Sequence, residues 1–131
     1  MSQRYFTLEE AEAFIPRLQQ TMTTVRDLKR QVDAKVSHWQ QEEPTGPVDQ
    51  ALAKGQLDFL VVEINRLLES VSEQGCLPKD LEIGLVDFPA RMDGQEVYLC
   101  WKLDEKHIRF WHGITEGFGG RKPLEISLSN P

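Results

Sequence analysis

The run Leu85-Val86-Asp87-Phe88-Pro89-Ala90-Arg91-Met92-Asp93-Gly94-Gln95-Glu96-Val97-Tyr98-Leu99-Cys100-Trp101 decides the fold. Asp93-Gly94 is a strong hairpin signal, because both residues tolerate the positive φ that a two-residue turn demands. It predicts antiparallel strands over 81–90 and 96–103. Asp104-Glu105 reads as a second two-residue turn, leading into a third strand over 106–112. The expected unit is a three-stranded antiparallel meander filling 79–112.

Turn length sets register, and register sets which side chains share a face. With two-residue turns, one face carries the rows Val86, Trp101, Ile108; Phe88, Leu99, Phe110; and Ala90, Val97, His112. It is apolar and must be covered. The opposite face carries Leu85, Lys102, His107; Asp87, Cys100, Arg109; and Pro89, Tyr98, Trp111. There an Asp87–Arg109 pair would straddle Cys100, and a guanidinium nearby can lower a thiol pKa. The plainer reading is a solvated outer face with a cross-strand ion pair.

Upstream of the meander the period is helical. Thr7-Leu8-Glu9-Glu10 forms a capping box. Apolar residues then recur at Ala11, Ile15, Leu18, Met22, Val25, Leu28, Val32, Val36 and Trp39, a stripe that asks for a partner helix. Pro16 removes one backbone bond and predicts a bend within this helix. The polar loop Glu42-Glu43-Pro44-Thr45-Gly46-Pro47 ends it. A second helix is expected from Asp49, with the stripe Leu57, Leu60, Ile64, Leu67 and Val71. Gly55 weakens its first turns. Gly75 and Pro78 stop it. Two such stripes make an antiparallel helical hairpin over 6–75.

After the meander, 113–131 is a Gly-rich loop and tail, in which alternating Leu124, Ile126 and Leu128 allow a short edge strand. The fold class is therefore α+β, one domain over 1–131, with the helices covering the apolar sheet face.

Composition narrows the function. Of 131 residues, 15 are Lys or Arg and 21 are Asp or Glu, a net charge of −6. A chain short of cations is poorly matched to nucleic acid or an anionic membrane. No apolar run reaches the ~20 residues that span a bilayer. Met1-Ser2-Gln3-Arg4-Tyr5 leads into a helix signal rather than an export signal, and two cysteines make no disulfide framework. Both point to the cytoplasm.

Motif by motif, chemistry is sparse. Cys76, Cys100, His38, His107 and His112 show no metal-ligand spacing, although Asp87, Cys100 and His107 form a conceivable set. His112, ending an apolar row, reads as a hydrogen-bonded structural histidine. Cys100 with His107 as base and Asp87 as orienter is a weak nucleophile signal. Gly117-Phe118-Gly119-Gly120-Arg121-Lys122 offers free amides and two cations but fails the P-loop pattern. Folded over the polar face, it would bring Arg121 toward Arg109 to hold an anionic ligand. Arg26, Lys29, Arg30 and Lys35 alternate with Asp27 and Asp33 as a solvated helix face.

Several stretches carry a resemblance. Phe6-Thr7-Leu8-Glu9-Glu10-Ala11 with Pro16, Gly84-Leu85-Val86-Asp87-Phe88-Pro89-Ala90, Leu99-Cys100-Trp101, Trp111-His112, and Gly117-Phe118 with Arg121 together resemble a bacterial family known as domain of unknown function 2203. The resemblance spans Phe6 to about Pro123, and Gly84 to Ala90 is its most specific part. It implies a small, soluble, cytoplasmic protein and brings no activity with it.

The expected function is a non-enzymatic binding or adaptor module. Asp87, Cys100, Arg109, Tyr98, Trp111, His107 and Arg121 would receive a small anionic ligand or a protein partner, as aromatic and Arg surfaces do. A thiol-dependent enzyme or redox sensor using Cys100 is the alternative, and metal binding is a third reading. No catalytic residue, resident metal or cofactor is assigned. The long helices, outrunning the sheet, predict a homodimer through the hairpin.

Overall fold

The computed structural model describes residues 4–124. Helix α1 (Leu8–Ala13) is followed by α2 (Ile15–Gln41) and α3 (Gly46–Glu73). The strands are β1 (Leu77–Asp80), β2 (Leu85–Met92), β3 (Gln95–Trp101), β4 (Phe110–Gly113) and β5 (Lys122–Pro123). They form one antiparallel sheet in the order β1-β2-β3-β4-β5. No helix among the described residues is long and apolar enough to cross a membrane.

The capping box forms as read. Thr7 Oγ1 accepts the Glu10 N–H at 3.1 Å, and Glu10 Oε1 accepts the Thr7 N–H at 2.9 Å. The first helix does not bend within itself, however. It breaks at Phe14, so that Pro16 falls in the first turn of α2, where a missing N–H has no intrahelical partner to lose. Helix α3 starts before Asp49, at Gly46, because Pro47 likewise suits a first turn. Gly75, at φ +97°, ends α3 in the left-handed region, as expected.

Leu18, Met22 and Val25 of α2 and Leu60, Ile64 and Val71 of α3 are the helices' buried residues. At the hairpin's base, Ala11, Leu18, Met22 and Val71 merge with Val86, Phe88, Ala90, Val97, Leu99 and Trp101 into one core. The helices thus cover the apolar face of the sheet. Phe6 locks the entry to α1 onto β2 by donating its N–H to Pro89 O (2.8 Å) and meeting Phe88 edge to face.

Among the described residues the sheet has five strands, not three. Strand β1 escapes the sequence pattern because Pro78, which cannot donate, interrupts it; prolines suit edge strands for that reason. Residues 81–84, expected to open the first long strand, are a turn instead. Asp80 Oδ1 accepts from the Glu82 and Ile83 N–H groups, and Gly84 takes φ +65°. Strand β5 also contains a proline, Pro123. The alternation beyond Leu124 lies outside the described residues.

The β2–β3 hairpin matches its reading. Asp93 and Gly94 both take positive φ (53° and 79°), and Val86, Asp87 and Phe88 oppose Trp101, Cys100 and Leu99. The β3–β4 connection does not. Asp104-Glu105 is no two-residue turn, and residues 106–109 are not in the ladder. Glu105 closes the chain earlier: its carbonyl accepts Trp101 Nε1–H at 2.8 Å, and its carboxylate accepts the Lys102 N–H at 3.0 Å. Leu103 and Ile108 then dip into the core, Ile108 donating its N–H to Glu12 Oε2 at 2.9 Å. Strand β4 enters one residue out of the expected register, pairing Phe110 with Cys100, Trp111 with Leu99 and His112 with Tyr98.

Candidate metal centre

A shift of one residue turns every side chain of a strand to the other face. Trp111 therefore lies on the helix-covered side, packed against the core. His112 lies on the opposite side with Asp87 and Cys100. The expected Asp87–Arg109 pair does not form, and Arg109 is exposed. His107 stands away from Asp87 and Cys100, exposed, with Nδ1 3.5 Å from Glu12 Oε2. Tyr98 does border the group, its ring 5.4 Å from that of His112.

Three adjacent strands thus contribute one donor each: a carboxylate from β2, a thiol from β3 and an imidazole from β4. Their ligand atoms all lie within 4.8 Å of one another. All three residues are buried, at 2% exposure for Asp87, 0% for Cys100 and 3% for His112. His112 Nδ1 is 2.9 Å from Gly113 O. A carbonyl only accepts, so Nδ1–H donates to it, and Nε2 is the ring atom left to face the carboxylate. Nε2 lies 3.1 Å from Asp87 Oδ2, a buried histidine–carboxylate contact. Asp87 Oδ1 is buried with no hydrogen-bond partner among the described residues.

Electrostatics follow from burial. Desolvation raises the Asp87 carboxyl above its usual range, against the pull of His112 and Lys79. It pushes the Cys100 thiol up to about 12, with the Asp87 charge adding to the rise. The nearby Arg121 guanidinium opposes that rise.

The Gly-rich segment closes the edge of this face. Arg121 Nη2 bonds Glu105 Oε1 and Oε2, both at 2.9 Å, and reaches Cys100 O at 3.4 Å. Its guanidinium lies over the Phe110 and Phe118 rings, at 4.0 and 4.7 Å. Lys122 is paired with Glu116 at 2.6 Å. Both cations that suggested an anion nest already have carboxylate partners.

His112 is the residue that sequence reasoning assigned to the wrong face. Alternation in Phe110-Trp111-His112 separates Trp111 from its neighbours but does not choose their sides, since Phe and Trp are both apolar. The choice is made by the Glu105 turn contacts to Trp101 and Lys102 and by the long-range bond of Ile108 to Glu12.

The family described as an uncharacterized conserved protein (DUF2203) matches residues 4–124. The chain belongs to the DUF2203 family. No curated protein and no solved structure matches it. The family match spans every described element of this DUF2203 chain, so the three donors lie within the shared fold rather than in an appendage.

Chemically, a nitrogen, a sulfur and an oxygen donor on one small site suit a borderline-soft dication such as zinc. Zinc bonds of about 2.0–2.3 Å put tetrahedral donors roughly 3.5 Å apart, a modest contraction from the observed spread. The Gly113 carbonyl on Nδ1 is the outer-shell partner that orients a ligating imidazole.

Proposed function

We propose that this protein binds a divalent transition metal of the zinc class through Asp87, Cys100 and His112. The observation that carries the reading is the buried, partnerless Asp87 Oδ1. A carboxylate oxygen removed from water without a hydrogen bond is costly, and a cation removes that cost. A dication that displaces the Cys100 thiol proton to solvent balances one carboxylate and one thiolate, leaving a buried centre of no net charge.

The ion would tie β2, β3 and β4 together and leave the fourth tetrahedral position to water. A surface-docking reading draws less support, because Asp87, Cys100 and His112 are all buried and Arg109 and His107 lie elsewhere. A thiol-reactive reading draws less as well, since a thiol held near 12 stays protonated at neutral pH.

The test is elemental analysis of protein purified without a metal-binding tag, followed by cobalt substitution. The expected result is close to one equivalent of metal, with a thiolate-to-cobalt charge-transfer band that Cys100→Ser abolishes and Lys102→Ala does not. Metal-free protein that takes up neither zinc nor cobalt at neutral pH overturns the proposal.

A further inference from the structure

Helix α3 has a second apolar face. Val48, Leu52, Phe59 and Val62 are exposed at 71%, 61%, 68% and 64%. They recur, through Gly55, at steps of four, three, four and three, the seam spacing of a coiled coil. The helix's own buried residues, Leu60, Ile64 and Val71, lie on its other side. Soluble monomers rarely leave so continuous an apolar stripe uncovered.

Gly55 lies at the middle of this stripe. Among the described residues nothing comes within 4 Å of the position its Cβ would take, so no packing within them explains a glycine there. Glycine weakens a helix interior, and its usual structural use is to let another backbone approach closely.

We infer that α3 pairs with α3 of a second copy, antiparallel, about a twofold axis passing beside Gly55. The stripe is nearly symmetric about that residue. Val48 then meets the partner's Val62, and Leu52 meets the partner's Phe59, the reciprocity a twofold interface requires. The flanking charges do not choose the orientation: antiparallel pairing brings Glu63, which carries Arg66 at 2.6 Å, toward the partner's Asp49, and parallel pairing sets Asp58 against the partner's Glu63. Because the core that joins helices to sheet lies at the Val71 end of α3, the antiparallel arrangement sends the two sheets to opposite ends.

Sedimentation equilibrium from low to high micromolar protein, with wild type and Phe59→Glu, tests this. The expected wild type is a dimer. Phe59→Glu raises the dimer dissociation constant by at least about tenfold and leaves the denaturant midpoint of the monomer unchanged. Val48→Cys mixed with Val62→Cys yields a disulfide-linked pair under mild oxidation, while neither does so alone. A wild type that is monomeric at high micromolar concentration, a dimer indifferent to Phe59→Glu, or Val48→Cys linking to itself each overturns the inference.

Discussion

The Glu116 carboxylate accepts the Gly113 N–H at 2.8 Å, and the carbonyl of that same glycine is 2.9 Å from His112 Nδ1. Glu116 in the Gly-rich segment therefore holds Gly113 on both sides, its carboxylate taking the N–H and its own N–H reaching the carbonyl that faces the imidazole, at 3.1 Å. Gly120 makes this approach feasible, because a Cβ there would lie 2.8 Å from the Glu116 Cβ.

Glu116→Ala is accordingly expected to weaken metal binding by about tenfold, the usual scale for an outer-shell partner. Glu116→Gln keeps an acceptor for the Gly113 N–H and loses only the charge opposite Lys122, so its effect should be smaller. Competition against a chromophoric chelator measures both. Equal losses would show that the ion pair, and not the Gly113 peptide, holds His112 in place.

Acidification should loosen this segment ahead of the rest. The Lys122 hydrogen bond, then the Gly113 N–H, hold the Glu116 carboxyl below the usual carboxylate range. A depressed folded pKa means that the stabilisation is complete above the ordinary glutamate value and is lost as pH falls through the lowered one. Amide hydrogen exchange at Gly113, corrected for intrinsic rates, is expected to lose protection through that window in the wild type. In Glu116→Gln the protection should not change there.

Two glycines with similar backbone angles should respond differently to alanine. Gly84 has φ +65°, and a Cβ on it would lie 2.4 Å from Leu103 Cγ. Gly94 has φ +79° with open space around it. Gly94→Ala should cost about 1 kcal/mol for the left-handed conformation alone. Gly84→Ala adds displacement of buried Leu103, and about 2–4 kcal/mol is expected in total. Urea denaturation midpoints separate the two; equal losses would mean that Leu103 yields freely.

The same region shows where local sequence stops being informative. The hairpin around Asp93-Gly94 was legible because turn chemistry and alternation agree within a short segment, and both act locally. The helices were legible for the same reason, apart from boundaries where Pro16 and Pro47 act as first-turn residues. The register of β4 was not legible. It depends on Trp101 Nε1 reaching the Glu105 carbonyl and on Ile108 reaching Glu12 from far along the chain. Asp87 and Cys100 could thus be paired from sequence, while His112 was assigned to the covered face and Arg109 and His107 to the group it actually joins. Strands β1 and β5 were hidden by Pro78 and Pro123, residues that argue against a central strand but not against an edge.

Glu12 carries part of that long-range control. Its Oε2 accepts the N–H of Ile108, a residue with 0% exposure, at 2.9 Å. Glu12→Ala leaves this N–H without an acceptor beneath the helices, which should cost about 1–3 kcal/mol. Glu12→Gln retains an oxygen at the same reach and should recover most of it. Because Ile108 anchors the connection that sets the β4 register, Glu12→Ala is also expected to lower metal affinity, although Glu12 touches none of the three donors. Parallel measurement of the urea midpoint and the cobalt charge-transfer titration separates the effects. A destabilised Glu12→Ala protein that binds cobalt as tightly as wild type would show that the β4 register survives without this bond.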